Sequence, residues 1–267
     1  MGARYALIVA LFMVQSIFAA ESDGTFAGRL FDKKEYSWAQ IEYERLLYLY
    51  PDSAGAVRWR YQCARSLMLC GRFDRAAAGF TAVPESDPLA DSARLYGAIC
   101  ALRRNEADTA RLLISSCSLD YSKVLGAYLD FSGRRYAAAL DTLQTVPSGS
   151  ADAFKARALE KAVSDASTFR KKQYAPALCL SLIPGIGHLY TGRRGDAAMS
   201  AITITTGACI AGYYAYHQSR VRAYAAGAVT GLFYAGSIYG AAVSVKIYNR
   251  SATRRFRETA ERIVFGP

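Results

Sequence analysis

From Phe26 to about residue 147 the apolar residues recur three and four positions apart, in short segments separated by polar turns. That is the spacing of helix faces, not the alternation of strands. Beyond Gln173 the pattern changes kind. The stretches 197–216 and 223–245 carry no charge at all, and each is long enough to cross a hydrocarbon core of about 30 Å. Between the two regimes lies Tyr174–Gly192, YAPALCLSLIPGIGHLYTG, an apolar run broken by Pro184, Gly185 and Gly187 and closed by Arg193 and Arg194. The expected fold class is all-α, a helical solenoid followed by a small helical membrane module.

Within the polar half one frame returns four times. Asp32–Pro51 carries Tyr36, Ala39, Tyr43, Leu46, Leu47 and Pro51; then come Gly71, Phe73, Ala76, Phe80 and Pro84; then Asn105, Ala107, Ala110 and Ile114; then Tyr136, Ala139, Leu143 and Pro147. The alanine sits where two helices cross closely, the aromatics fill the space beside it, and proline stops the second helix. The alanines are 37, 34 and 29 residues apart, scattered about the roughly 34 of a tetratricopeptide repeat, which this region resembles over about 25–147. The second and fourth units depart from the pattern, because their prolines follow the alanine after eight residues instead of twelve, and the third lacks the aromatic. Such units bury their apolar faces only by stacking, and the resemblance implies a surface for binding protein partners. The alternative is that the stack only spaces something from the membrane.

The first twenty residues have Arg4 as their only charge, an apolar run Tyr5–Val14, and small residues before Glu21. This is the layout of a secretory signal peptide cut after Ala19 or Ala20, with an uncleaved anchor as the alternative. Either way Glu21 onward starts outside the cytoplasm. The expected organisation is 1–20 signal peptide, 21–150 repeat domain, 151–172 capping or linker helix, 173–248 membrane module and 249–267 basic amphipathic tail.

In the module, the broken segment 174–191 either crosses as a kinked span or dips in and returns. Three crossings would put Arg193, Arg194 and the basic tail in the cytoplasm, as the positive-inside rule prefers. We take three as the expectation. The run Pro184, Gly185, Gly187, Tyr190, Gly192, Arg193 resembles the PGxGxxYxG signature of bacterial membrane proteins related to the two-transmembrane-helix domain family. The resemblance implies a membrane fold and no general activity. His188 is expected to form a hydrogen bond at the turn, and Asp196 to cap the following helix or pair with Arg193 or Arg194. Gly227 with Gly231 and Gly236 with Gly240 have the four-residue spacing that lets helices pack closely on each other, or on a second copy of the chain.

Charge and cysteine narrow the chemistry. The sequence pI is about 9.4, yet the excess sits beside apolar runs: 10 Lys and Arg against 3 acidic residues after Lys172, and 22 against 19 over 21–172. That pattern fits lipid headgroups better than nucleic acid. The tail places Ala252, Phe256, Ala260 and Ile263 on one face among arginines, as in a helix lying on an anionic leaflet; a solvated basic tail is the other reading. The six cysteines form no Cys-x-x-Cys pair, and the two histidines, His188 and His217, lack metal-ligand spacing. Buried thiols are expected among the four soluble cysteines, with a disulfide the alternative.

We expect no enzyme, no cofactor and no metal, since no nucleophile, base or carboxylate pair can be assembled. The expected function is a scaffold in a bacterial cell membrane, the inner one of two, whose extracytoplasmic repeats bind partner proteins. The alternative is a small channel, transporter or assembly factor working through the module, with His188 and Asp196 inside.

Overall fold

The computed structural model describes residues 24–266, and each of their regular elements is an α-helix. The chain is all-α. The expected signal peptide, 1–20, lies outside the described residues. Two units emerge: one runs to Val163 and takes in Ile263–Gly266, the other is Ser164–Arg262.

The first unit contains α1 (24–32), α2 (Tyr36–Leu49), α3 (Ala56–Leu69), α4 (Phe73–Thr81), α5 (Ala90–Arg103), α6 (Ala107–Ser115), α7 (Asp120–Ser132), α8 (Tyr136–Gln144) and most of α9 (Ala153–Thr168). From α2 to α8 each helix packs on the next, and α5 also packs on α3 and on α7. Ala39, Ala76, Ala110 and Ala139 are all 0% exposed. At one crossing a Cβ added to Gly79 would come within 2.8 Å of the Ala64 Cβ, so α3 and α4 touch almost backbone to backbone. α4 and α8, with their early prolines, have 9 residues each where α2 has 14, but α6, with no proline after it, also has 9, so proline is not what sets the length.

The backbone repeats as well. Lys34, Gly71, Asn105 and Arg134 all have positive φ, between 60° and 76°, and each ends the helix before a hairpin turn. In each case its own N–H bonds the carbonyl three residues back, at Phe31, Met68, Leu102 and Phe131. The next N–H reaches five back, at Leu30, Leu67, Ala101 and Asp130. This is the Schellman closure of a helix end. Asparagine tolerates the conformation, but lysine and arginine are held there at about 1 kcal/mol. Lys34→Gly and Arg134→Gly should each raise stability by about that much, and Gly71→Ala should lower it similarly, read from urea midpoints of the full chain in detergent.

Where α3, α4 and α5 meet, the rings of Tyr61, Phe80 and Tyr96 lie with centroids 5.7–6.2 Å apart. The Arg65 guanidinium lies 4.9 Å from the Phe31 ring and 5.4 Å from that of Tyr96, within cation–π range. Cys63 and Cys100 are buried thiols, and burial pushes both up to about 12. An unfolded thiol ionises near 8.5, so between there and about 12 the unfolded chain has lost protons that the native chain keeps. Stability is therefore full below about pH 8 and falls as pH rises. A Cys63→Ala, Cys100→Ala double variant should show a smaller loss of urea midpoint between pH 8 and pH 10 than the parent.

Residues at the far end of the chain complete this unit. The Tyr121 hydroxyl donates to the Val264 carbonyl, Phe265 meets Tyr128 edge-on at 5.3 Å, and Arg103 lies 4.4 Å over the Phe265 ring.

The second unit holds α10 (Tyr174–Leu180), α11 (Ile186–Tyr190), α12 (Arg194–Tyr216) and α13 (Arg220–Phe265), the last ending in the first unit. Among the described residues one helix, α13, is long and apolar enough to cross a membrane by length and composition, with a window of mean hydropathy 1.4. α12 has the length, but threonine, glycine and tyrosine dilute its apolar content. The tail is not a separate helix. Nothing between Val245 and Asn249 breaks helix geometry, so the uncharged stretch runs into the basic one in a single 46-residue helix. The tail face expected on a leaflet is instead covered by the chain itself: Ala252 and Ala260 are buried, and Phe256 packs on Phe169 at 5.5 Å.

Candidate functional site

The motif of the broken segment builds a hairpin. After α10 the chain turns through Pro184 and Gly185, the latter at φ 87°, a left-handed conformation that glycine adopts without penalty. A Cβ on Gly185 would also strike the Ala197 carbonyl oxygen. α11 then returns along α10. A Cβ on Gly187 would fall on the Ser181 hydroxyl and lie 2.8 Å from the Ala177 carbonyl and 2.9 Å from the Ala241 Cβ, so α10, α11 and α13 meet at this one glycine. Gly192, at φ 80°, closes α11 with the same paired bonds seen in the repeats, its own to Leu189 and that of Arg193 to His188.

The ends of the hairpin are tied together. The Gln173 N–H donates to the Tyr190 hydroxyl at 3.4 Å, and the Lys172 ammonium donates to the Tyr190 carbonyl. Asn249 then clamps the Lys172 backbone from α13, accepting its N–H at 2.9 Å and donating to its carbonyl at 2.8 Å. Phe169 lies against Tyr248 at 6.3 Å. At the other end the Tyr234 hydroxyl donates to the Leu182 carbonyl at 2.9 Å. The 15 residues from Tyr234 to Asn249 rise about 22 Å, which sets how far the hairpin reaches along α13. Tyr234 is the middle residue of 223–245.

Next to the turn is a polar cluster. His188 is 6% exposed, and its Nδ1 is 3.3 Å from the Ser244 Oγ. That hydroxyl gives its proton to the Gly240 carbonyl at 2.8 Å and accepts from Arg193 at 3.2 Å. It therefore accepts from His188 too, which puts a proton on Nδ1. Arg193 also pairs with Asp196. Of the two roles expected for Asp196, the structure shows the ion pair. It makes no capping bond, because Arg193 occupies the cap position and Asp196 lies inside the first turn of α12, where its charge still complements the helix dipole.

These groups line one side of a cavity of about 610 Å³, whose other walls are Ser200, Thr203 and Ser237 and, further along, Val229, Leu232 and Phe233. The Ser244 hydroxyl is given away to a carbonyl, so it is not poised as a nucleophile for the imidazole. Among the described residues no group of three His, Cys, Asp or Glu side chains is placed to hold a metal ion.

Pro184, Gly185, Gly187, His188, Tyr190, Gly192, Arg193 and Asp196 thus gather in one small region. Within the chain the glycine pairs of α13 do not pack as pairs. Gly240 abuts the His188 ring, Gly236 faces the cavity, and a Cβ on Gly227 or Gly231 would meet nothing within 4 Å among the described residues. It is Gly207, against Thr230, that lets α12 approach α13. Sequence reasoning missed Ser244, Lys172 and Asn249. No family model, curated protein or solved structure matches this chain.

Proposed function

We propose that the chain is a membrane-anchored adaptor: its four hairpins form a tetratricopeptide-like stack that binds partner proteins, and the module from α10 to α13 holds that stack at a bilayer. The observation that carries this is the fourfold return of one backbone turn, at residues 34, 71, 105 and 134, five positions ahead of four fully buried alanines. The docking surface is the outer face of α2, where Trp38 is 62% exposed, Ile41 50% and Tyr48 85%, an apolar stripe that favours a protein partner. A photo-crosslinking residue placed at Trp38 or Tyr48 should yield one discrete protein adduct in native membranes, lost when the neighbouring Ile41 becomes Asp. Absence of any adduct from both positions would overturn the reading.

The clamp supports one topology over the others. Lys172 precedes the module and Asn249 follows its last apolar stretch, and they share two hydrogen bonds, so both belong on one side of a bilayer. The crossings are then even in number, α12 and α13, with α10 and α11 as a re-entrant hairpin. This replaces the expectation of three. The cations Arg193, Arg194, Lys246 and Arg250 consequently share the side of the repeats, which the positive-inside preference would assign to the cytoplasm. We place that side outside, because long domains led by a signal sequence are translocated largely regardless of charge. With native cysteines replaced, Leu112→Cys and Gly266→Cys should both react with a membrane-impermeant thiol reagent in intact cells. Opposite labelling would rule out an even count, and joint protection would rule out export.

A further inference from the structure

The cavity beside His188 is graded along its length. At the end near the hairpin stand His188, Arg193 and Asp196; hydroxyls follow; and Val229, Leu232 and Phe233 close the far end. The last three are more than half exposed and belong to the uncharged stretch of α13, so on the membrane reading above, on which this inference rests, the cavity opens sideways into hydrocarbon. An amphiphile already in the bilayer can enter through that mouth. The volume, about 610 Å³, lies within the usual 300–1,000 Å³ of small-molecule sites.

The charges specify the head. Arg193 and Asp196 are paired with each other. A head with only a phosphate would take Arg193 and leave the Asp196 carboxylate, 44% exposed, without its cation. A head carrying both a phosphate and an ammonium replaces each partner of the pair in turn. His188 also lines the cavity, and in the neutral ring protonated at Nδ1 its Nε2 accepts from an ammonium donor. We propose that this cavity is a binding site for an aminophospholipid, its phosphate on Arg193, its ammonium on Asp196 and His188, and an acyl chain along Leu232 and Phe233.

The full chain, reconstituted into vesicles of equal phosphatidylethanolamine and phosphatidylglycerol and released gently for native mass spectrometry, should retain the amine lipid about tenfold over the other, the factor expected of one charge-assisted hydrogen bond. Asp196→Asn should bring that ratio near one. Gly236→Phe is the second test. A Cβ there meets nothing within 4 Å, so the ring enters the cavity without disturbing the fold and should abolish retention with the thermal midpoint unchanged. Equal retention of the two lipids by the parent, a preference for phosphatidylglycerol, or retention undiminished by Gly236→Phe overturns the site alone. Release of the parent chain from the vesicles by alkaline carbonate overturns the membrane reading and the site together.

Discussion

Gly187→Leu should unfold the hairpin of the module, lowering the thermal midpoint of the detergent-solubilised chain by well over 5 °C and opening the segment 174–192 to protease. The glycine is enclosed on three sides, by the Ser181 hydroxyl and Ala177 carbonyl of its own hairpin and by Ala241 of α13. Two of these neighbours are backbone or backbone-tethered and cannot swing aside. Overpacking in a closed site costs about 1–3 kcal/mol when the surroundings can shift, and here the shift must part α11 from α13. That would also separate His188 from Ser244, leaving the buried imidazole without its partner at a further cost of about 1–3 kcal/mol, while Ser244 keeps its bond to Gly240. Gly231→Leu, on an open face of α13, is the matched control and should leave the midpoint within about 2 °C. A Gly187→Leu chain as stable as that control would mean that the hairpin does not pack on α13 as described.

The contrast between these two glycines shows what the sequence could and could not disclose. Gly187 was legible as part of a motif, and the structure gives it a reason. Gly231 has an equally persuasive four-residue spacing, yet among the described residues it packs on nothing, because spacing fixes which residues share a helix face but not whether a neighbour covers it. The repeats were read from Ala39, Ala76, Ala110 and Ala139, since a small residue in a recurring apolar frame has a local signature. Their turns were hidden at Lys34 and Arg134, because only glycine and asparagine advertise a left-handed conformation. The clamp from Asn249 to Lys172, and Ser244 beneath His188, join residues 77 and 56 positions apart, and no local pattern marks such pairs. The tail was misjudged for a different reason. Its amphipathic face was correctly placed, but an apolar stripe says only that something covers it, and protein covers it here where lipid was expected.

Leu125→Ala should have the largest effect in the repeat unit, lowering the free energy of unfolding by about 3–4 kcal/mol. Leu125 is among the largest side chains in the chain with no exposure, and Val124 and Ala127 beside it are equally buried, so a truncated side chain leaves a void that its neighbours cannot fill. Leucine-to-alanine changes in such sites cost about 2–5 kcal/mol, rising with the volume left behind. Against a typical total of about 5–15 kcal/mol that is a large fraction. The damage should also be local in a way that can be read. α7 packs on α5, α6 and α8, and it carries Tyr121 and Tyr128, which hold Val264 and Phe265. Loosening α7 should therefore raise hydrogen exchange in α6, α7, α8 and residues 263–266 together, while α2 and α3, which have none of these contacts, keep their protection. Uniform loss of protection from α1 to α9 would show instead that the unit unfolds as one block.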